Sequence, residues 1–284
     1  MKTTVTIDDL RQCADFDAAN QRVQSALDNA LQHPAWLVSF LGWYIDWNGW
    51  FGSGVATLAG ELSRSRGIFQ DADEGIQILA DRSVHVASHF FDAARDEFDD
   101  SATPHRDTHR TLAQATLKGL VEVLGLSGRA NALLTSPDWL DALNHAVLVG
   151  YGHQQPELRA ILFEAMGFHL GSELLADEEF TILDQTLRRQ RPDLVDQLLQ
   201  HKVPIAGTSH PAYYWIGIHS GVGGGVEFDH FQWAVSGVEV ALQYTPEAQR
   251  PQARQALFRG FAHFARIHEQ FFSTARQALL NIAP

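Results

Sequence analysis

Three stretches of this sequence bring carboxylates and histidines together at spacings that could do chemistry. EFDDSATPHRDTHRTL holds Glu97 at a helix end and His109 one turn into the next helix, across a loop containing Pro104. GFHLGSELLADEEF holds His169 and Glu173, i and i+4 on one helix face. YYWIGIHSGVGGGVEFDHFQWA holds His219, Glu227 and His230. At about 100° per residue, His219 and His230 fall about 20° apart after whole turns, and Glu227 and His230 are i, i+3 neighbours. Helical bundles hold pairs of iron ions on Glu and His side chains projecting inward from facing helices. Carboxylates suit a hard, redox-cycling metal, and imidazole is a good iron ligand. Each stretch also has a plain structural reading. Glu97 reads equally as a solvated helix-end charge, and His219 and His230 as satisfied core histidines.

Neighbouring carboxylates and histidines compete for these roles. Glu164 lies nine residues before Glu173 on the same expected helix, so the two point to opposite faces, about 180° apart. Glu173 is preferred because His169 shares its face and Gly167, Gly171 and Ser172 leave room for close packing or a ligand. Glu178 and Glu179 read as a solvated face. Asp81, His85 and His89 could form a mononuclear site but read as a polar helix face. His263 and His268 do not share a face and read as structural.

The elements that must position these residues are helical nearly throughout. Asp8 or Asp9 caps a first helix over about 8–32, ended by His33-Pro34. Residues 36–51 carry Trp36, Phe40, Trp43, Trp47 and Trp50 at helical steps, a buried core helix or a substrate-pocket wall. Further helices are expected over 54–66, 73–97, 106–125, 136–151, 157–190, 192–201, 208–220, 226–244 and 247–281. Pro137, Pro156, Pro192, Pro211 and Pro246 stand near helix starts, where a missing N–H costs little. Gly221, Gly223, Gly224 and Gly225 argue for a broken helix before Glu227. No period-2 strand stands out. The pattern predicts one all-α domain over 1–284, with a core bundle over about 36–281.

Composition narrows the function classes. The 284 residues carry 21 Lys plus Arg against 34 Asp plus Glu, a formal charge of −13, which disfavours a nucleic-acid partner. MKTTVTIDDL lacks the apolar core of a signal peptide. No run of about 18 apolar residues predicts a membrane span. Cys13 is the only cysteine, so no intrachain disulfide or cysteine-rich zinc site can form. The expectation is a soluble, cytoplasmic protein.

The order of these residues resembles the heme-oxygenase-like di-iron oxidases. That family places a Glu on one helix, a His several residues later, a Glu on a third helix, and then a His-x3-Asp-x2-His cluster. Here Glu97 and His109 match the first pair, and Gly167-x5-Glu173 resembles the next helix. His219, Glu227 and His230 resemble the last cluster, and the likeness covers roughly residues 80–245. This chain departs from the pattern in reading His-x7-Glu-x2-His, with Gly223 where a ligand would stand. The long gap from Glu173 to His219 implies an inserted helical segment around 185–207.

The resemblance implies a single-domain heme-oxygenase-like helical bundle holding two Fe(II) ions per chain, with O2 as co-substrate. Glu97, His109, Glu173, His219, Glu227 and His230 would be the metal ligands. The substrate would be a small amino-acid-like or fatty-acid-like molecule undergoing N-oxygenation, desaturation, C–C cleavage or oxidative decarboxylation. An external electron donor and a homodimer are compatible with this reading. The related thiaminase-like branch needs a Cys nucleophile, and Cys13 stands far from the aromatic segments. His33, before Pro34, is a poor proximal haem ligand. The competing readings are a mononuclear iron oxidase using a subset of these ligands and a metal-free helical small-molecule binding protein.

Overall fold

The N-terminal segment shows how local capping overrides a longer helical pattern. A computed structural model of the chain describes residues 3–71, 73–75, 81–100, 103, 107–155, 158–220 and 226–283, with backbone alone for 226–228. Thr6, rather than Asp8 or Asp9, caps α1 (Ile7–Arg11), with its side chain and that of Asp9 each accepting from the other's backbone N–H. Asp15 then accepts from Ala18 N at 3.0 Å and opens α2 (Phe16–Ala30). That N–H would serve the turn before it in a continuous helix, so the expected single helix over 8–32 is two.

Pro34 occupies the first position of α3 (Pro34–Asn48). Trp36, Phe40, Trp43, Tyr44 and Trp47 are all buried, as a helix apolar on every side must be. Trp50, just beyond its end, is 37% exposed. The chain continues through α4 (Phe51–Arg64), α5 (Asp81–Phe98), α6 (His109–Val123), α7 (Ala130–Leu133) and α8 (Asp138–Gly150). The long α9 (Arg159–Gln190) follows, then α10 (Pro192–Gln200). After a hairpin come α11 (Tyr214–His219), α12 (Val226–Gln243) and α13 (Arg250–Leu279).

The hairpin pairs β1 (Lys202–Ile205) with β2 (Thr208–Pro211) antiparallel, Ile205 opposite Thr208. Ala206 and Gly207 both have positive φ, 48° and 86°, the two-residue turn that suits the twist of paired strands. The expected helix over 208–220 therefore starts only at Tyr214, and Pro211 lies in a strand. The segment expected as a helical insertion is α10 followed by the first strand.

The architecture is an all-α bundle around α9, whose residues from Ala165 to Ala176 are buried on every side. α13 crosses it closely. A Cβ on Gly167 would stand 1.9 Å from Leu257 O, and one on Gly260 would stand 1.8 Å from Glu164 O. The small residues expected to allow close packing or a ligand are, at Gly167, a helix crossing. One continuous hydrophobic core joins the helices. Among the described residues, no helix is long and apolar enough to cross a membrane.

Candidate metal centre

Glu97 sits in the last turn of α5, and His109 is the first residue of α6 rather than one turn inside it. Thr108 caps α6 by accepting from Thr111 N, and Asp100 N donates to Asp107 O at 2.8 Å across the connection. These bonds turn the two side chains toward each other, with His109 Nδ1 3.2 Å from Glu97 Oε1. Gly52 of α4 makes the space, because a Cβ there would stand 3.2 Å from Glu97 Oε2.

Three further elements converge on this pair. α11 ends at His219, whose Nδ1 donates to Trp215 O at 2.6 Å. Its Nε2 faces His109 Nδ1 at 3.3 Å. Phe180 stacks on the His219 ring, centroids 4.6 Å apart. From α9, Glu173 places Oε1 3.1 Å from His169 Nδ1 and Oε2 3.4 Å from His230 Nδ1. From α12, His230 Nε2 reaches Asp96 Oδ2 at 3.1 Å, and that oxygen is also 3.7 Å from His109 Nε2. His109, His169, Glu173, His219 and His230 are all buried.

The electrostatics follow from this crowding. Burial raises the Glu97 carboxyl pKa, but the charge and hydrogen bond of His109, with His230 and His219 behind, outweigh it and hold the group at about 2. Burial, reinforced by His230, pushes His169 down to about 3, against the pull of Glu97.

Of the expected residues, the structure brings Glu97, His109, Glu173, His219 and His230 together. Glu227 lies on α12, but its side chain is outside the described residues. Asp96 was missed. It precedes Glu97 and also faces the site, and assigning one carboxylate to that helix end hid it. Glu164 points the opposite way from Glu173 and pairs with Arg259 at the surface. His85 contacts Tyr244 Oη at 3.0 Å. Glu179 corrects the expectation of a solvated face. It is 2% exposed, accepts from Tyr44 Oη at 2.8 Å, and lies 3.0 Å from His268 Nε2.

The donor set of Asp96, Glu97, Glu173, His109, His219 and His230 has the chemistry of a hard transition-metal site. The carbonyl that fixes the His219 tautomer is the kind of partner that orients a ligating histidine. The contacts are spaced as hydrogen bonds and ion pairs, however. Among the described residues, no group of three or more His, Cys, Asp or Glu side chains is arranged to hold a metal ion as it stands. No protein-family model, no curated protein and no solved structure matches the chain.

Proposed function

We propose that this cluster is a non-haem di-iron centre of a heme-oxygenase-like oxidase or oxygenase acting on a small amino-acid-like or fatty-acid-like substrate. One observation carries the reading. Buried imidazoles and Glu173 from α6, α9, α11 and α12 meet the half-buried Asp96 and Glu97 of α5 in one cluster, although Asp96 and His230 stand 134 residues apart in sequence. Burying so many ionisable groups is expensive unless a cation or protons compensate them. Two Fe(II) ions, when bound, would supply that compensation and reductive activation of O2.

The protein's own residues then have definable tasks. Asp96, Glu97 and Glu173 provide three negative charges against two divalent cations, and Glu227, if it also reaches the metals, a fourth. His169 holds Glu173 from behind, and is itself held by Tyr151 Oη at 3.3 Å. Trp215 orients His219, and Phe180 covers its ring against water. External electron supply and a cytoplasmic setting belong to the same proposal.

Anaerobic reconstitution with Fe(II), followed by metal analysis and O2-uptake measurement, tests it. The expected result is close to two irons per chain, most of it lost in His230→Ala. Losing a ligand should cost more than the ~10–100-fold typical of its supporting partners. One iron per chain would favour a mononuclear oxidase. No stoichiometric iron and no O2 uptake would leave a metal-free binding protein.

A further inference from the structure

Tyr44 stands apart from the other tyrosines in its surroundings. Its hydroxyl donates to Glu179 Oε2 at 2.8 Å, and both residues are buried. Its ring contacts two tryptophans, with centroids 6.4 Å from Trp47 and 6.1 Å from Trp215. Trp215 in turn is 5.8 Å from the ring of His219 in the candidate centre. Trp50, three residues after Trp47 in sequence, is exposed.

The hydrogen bonding along this row is uneven. The indole N–H groups of Trp47 and Trp215 are buried with no hydrogen-bond partner among the described residues. An indole oxidised by one electron there has no described acceptor for its proton and stays a high-energy radical cation. The Tyr44 phenol has a carboxylate already in place. Three of the other tyrosines are held differently. Tyr213 donates to the same Asp184 oxygen, Oδ1, that Arg188 holds at 2.8 Å, whereas His268 Nε2 faces the other oxygen of Glu179, Oε1, at 3.0 Å. Tyr244 contacts His85 and carries the Arg82 guanidinium 5.2 Å above its ring. Tyr151 meets Ser172 Oγ at 2.7 Å and His169 Nδ1 at 3.3 Å.

We infer that Tyr44 is a redox-active site, a relay at which a one-electron oxidising equivalent on the Trp215–Trp47 row is trapped by proton transfer to Glu179. In the step, a tryptophan radical cation takes one electron from Tyr44. The phenol O–H bond breaks, and the proton passes to Glu179 Oε2. The products are a restored indole, a neutral tyrosyl radical and a neutral carboxylic acid. A diffusible one-electron oxidant, or an oxidised metal at the candidate centre, supplies the hole. Only the second source rests on the proposed function.

Pulse radiolysis of the metal-free protein, stripped with a chelator, tests the relay without any iron. Azide radicals oxidise tryptophan, and the indolyl and tyrosyl absorption bands are followed in time. In the wild type the indolyl band should decay as the tyrosyl band rises, at a first-order rate independent of protein concentration. Tyr44→Phe should remove that phase. Glu179→Gln, which keeps the shape and loses the basic oxygen, should slow it about tenfold or more. Tyr213→Phe and Tyr244→Phe should leave it unchanged. Unaltered kinetics in Tyr44→Phe, or a wild-type rate in Glu179→Gln, would overturn the assignment. Iron binding measured separately keeps this failure distinct from failure of the metal site.

Discussion

Gly167→Ala is the most exacting test of how the bundle positions its site. The new Cβ would stand 1.9 Å from Leu257 O and 2.7 Å from Leu257 C. An ordinary contact begins near 3.4 Å, so α9 and α13 would have to separate by about 1.5 Å at their crossing. Both obstructing atoms are backbone, so no side chain can swing aside. Overpacking typically costs about 1–3 kcal/mol, and a rigid backbone obstacle belongs at the upper end. Replacing Gly by Ala within a helix returns about 1 kcal/mol. The net expectation is about 2 kcal/mol of destabilisation, which lowers Tm by about 5 °C in a chain of this size. Gly60→Ala is the matched control. Gly60 lies within α4 with nothing within 4 Å of its added Cβ, so the same change should stabilise. Urea unfolding of the two variants beside the wild type reads both signs. A Gly167→Ala protein as stable as the wild type would refute the close crossing, and with it the depth at which α9 holds Glu173.

The opposite faces of α9 give a second test by metal analysis. Glu173→Ala should lose iron, whereas Glu164→Ala removes only a surface pair with Arg259 worth about 0–1 kcal/mol and should keep it. The reverse pattern would reject the register of α9. Asp96→Asn should also reduce iron content, and full loading in that variant would remove Asp96 from the site. In the metal-free protein, His169 titrates at about 3 instead of its ordinary 6.5, so the unfolded chain takes up the proton first. Stability should therefore fall as pH drops from 6.5 toward 3. His169→Gln should flatten that fall above pH 4.5, before Glu97 contributes. Identical slopes in the two proteins, from urea midpoints across pH, would discount the buried neutral imidazole.

Much of the scaffold follows from local rules visible in the sequence. Helical periodicity locates α3, α8, α9 and α13, and counting turns separates Glu164 from Glu173. Adjacent positions are harder. Glu178 and Glu179 look alike as letters, but one is exposed and the other buried. The difference arises because α3 and α13 cover one side of α9, a tertiary fact that no local pattern carries. Asp96 was hidden for the same reason, since two successive carboxylates at a helix end can both reach a site placed beyond it. The break at Asp15 and the turn at Ala206-Gly207 were legible in principle. In each case a side-chain cap or a turn competes with the helical pattern and prevails locally.

Glu173 and Glu179 belong to the same uninterrupted helix. The rise between them is about 9 Å at about 1.5 Å per residue, set by backbone hydrogen bonds rather than by side-chain packing. α9 therefore acts as a ruler between the carboxylate facing the histidine cluster and the one holding Tyr44. Side-chain repacking elsewhere can tune either end while leaving their spacing intact. Deleting a single residue between them would turn one end about 100° against the other. Sequence change in this segment is thus confined to substitution, and the five residues from Leu174 to Glu178 form a stretch of fixed length.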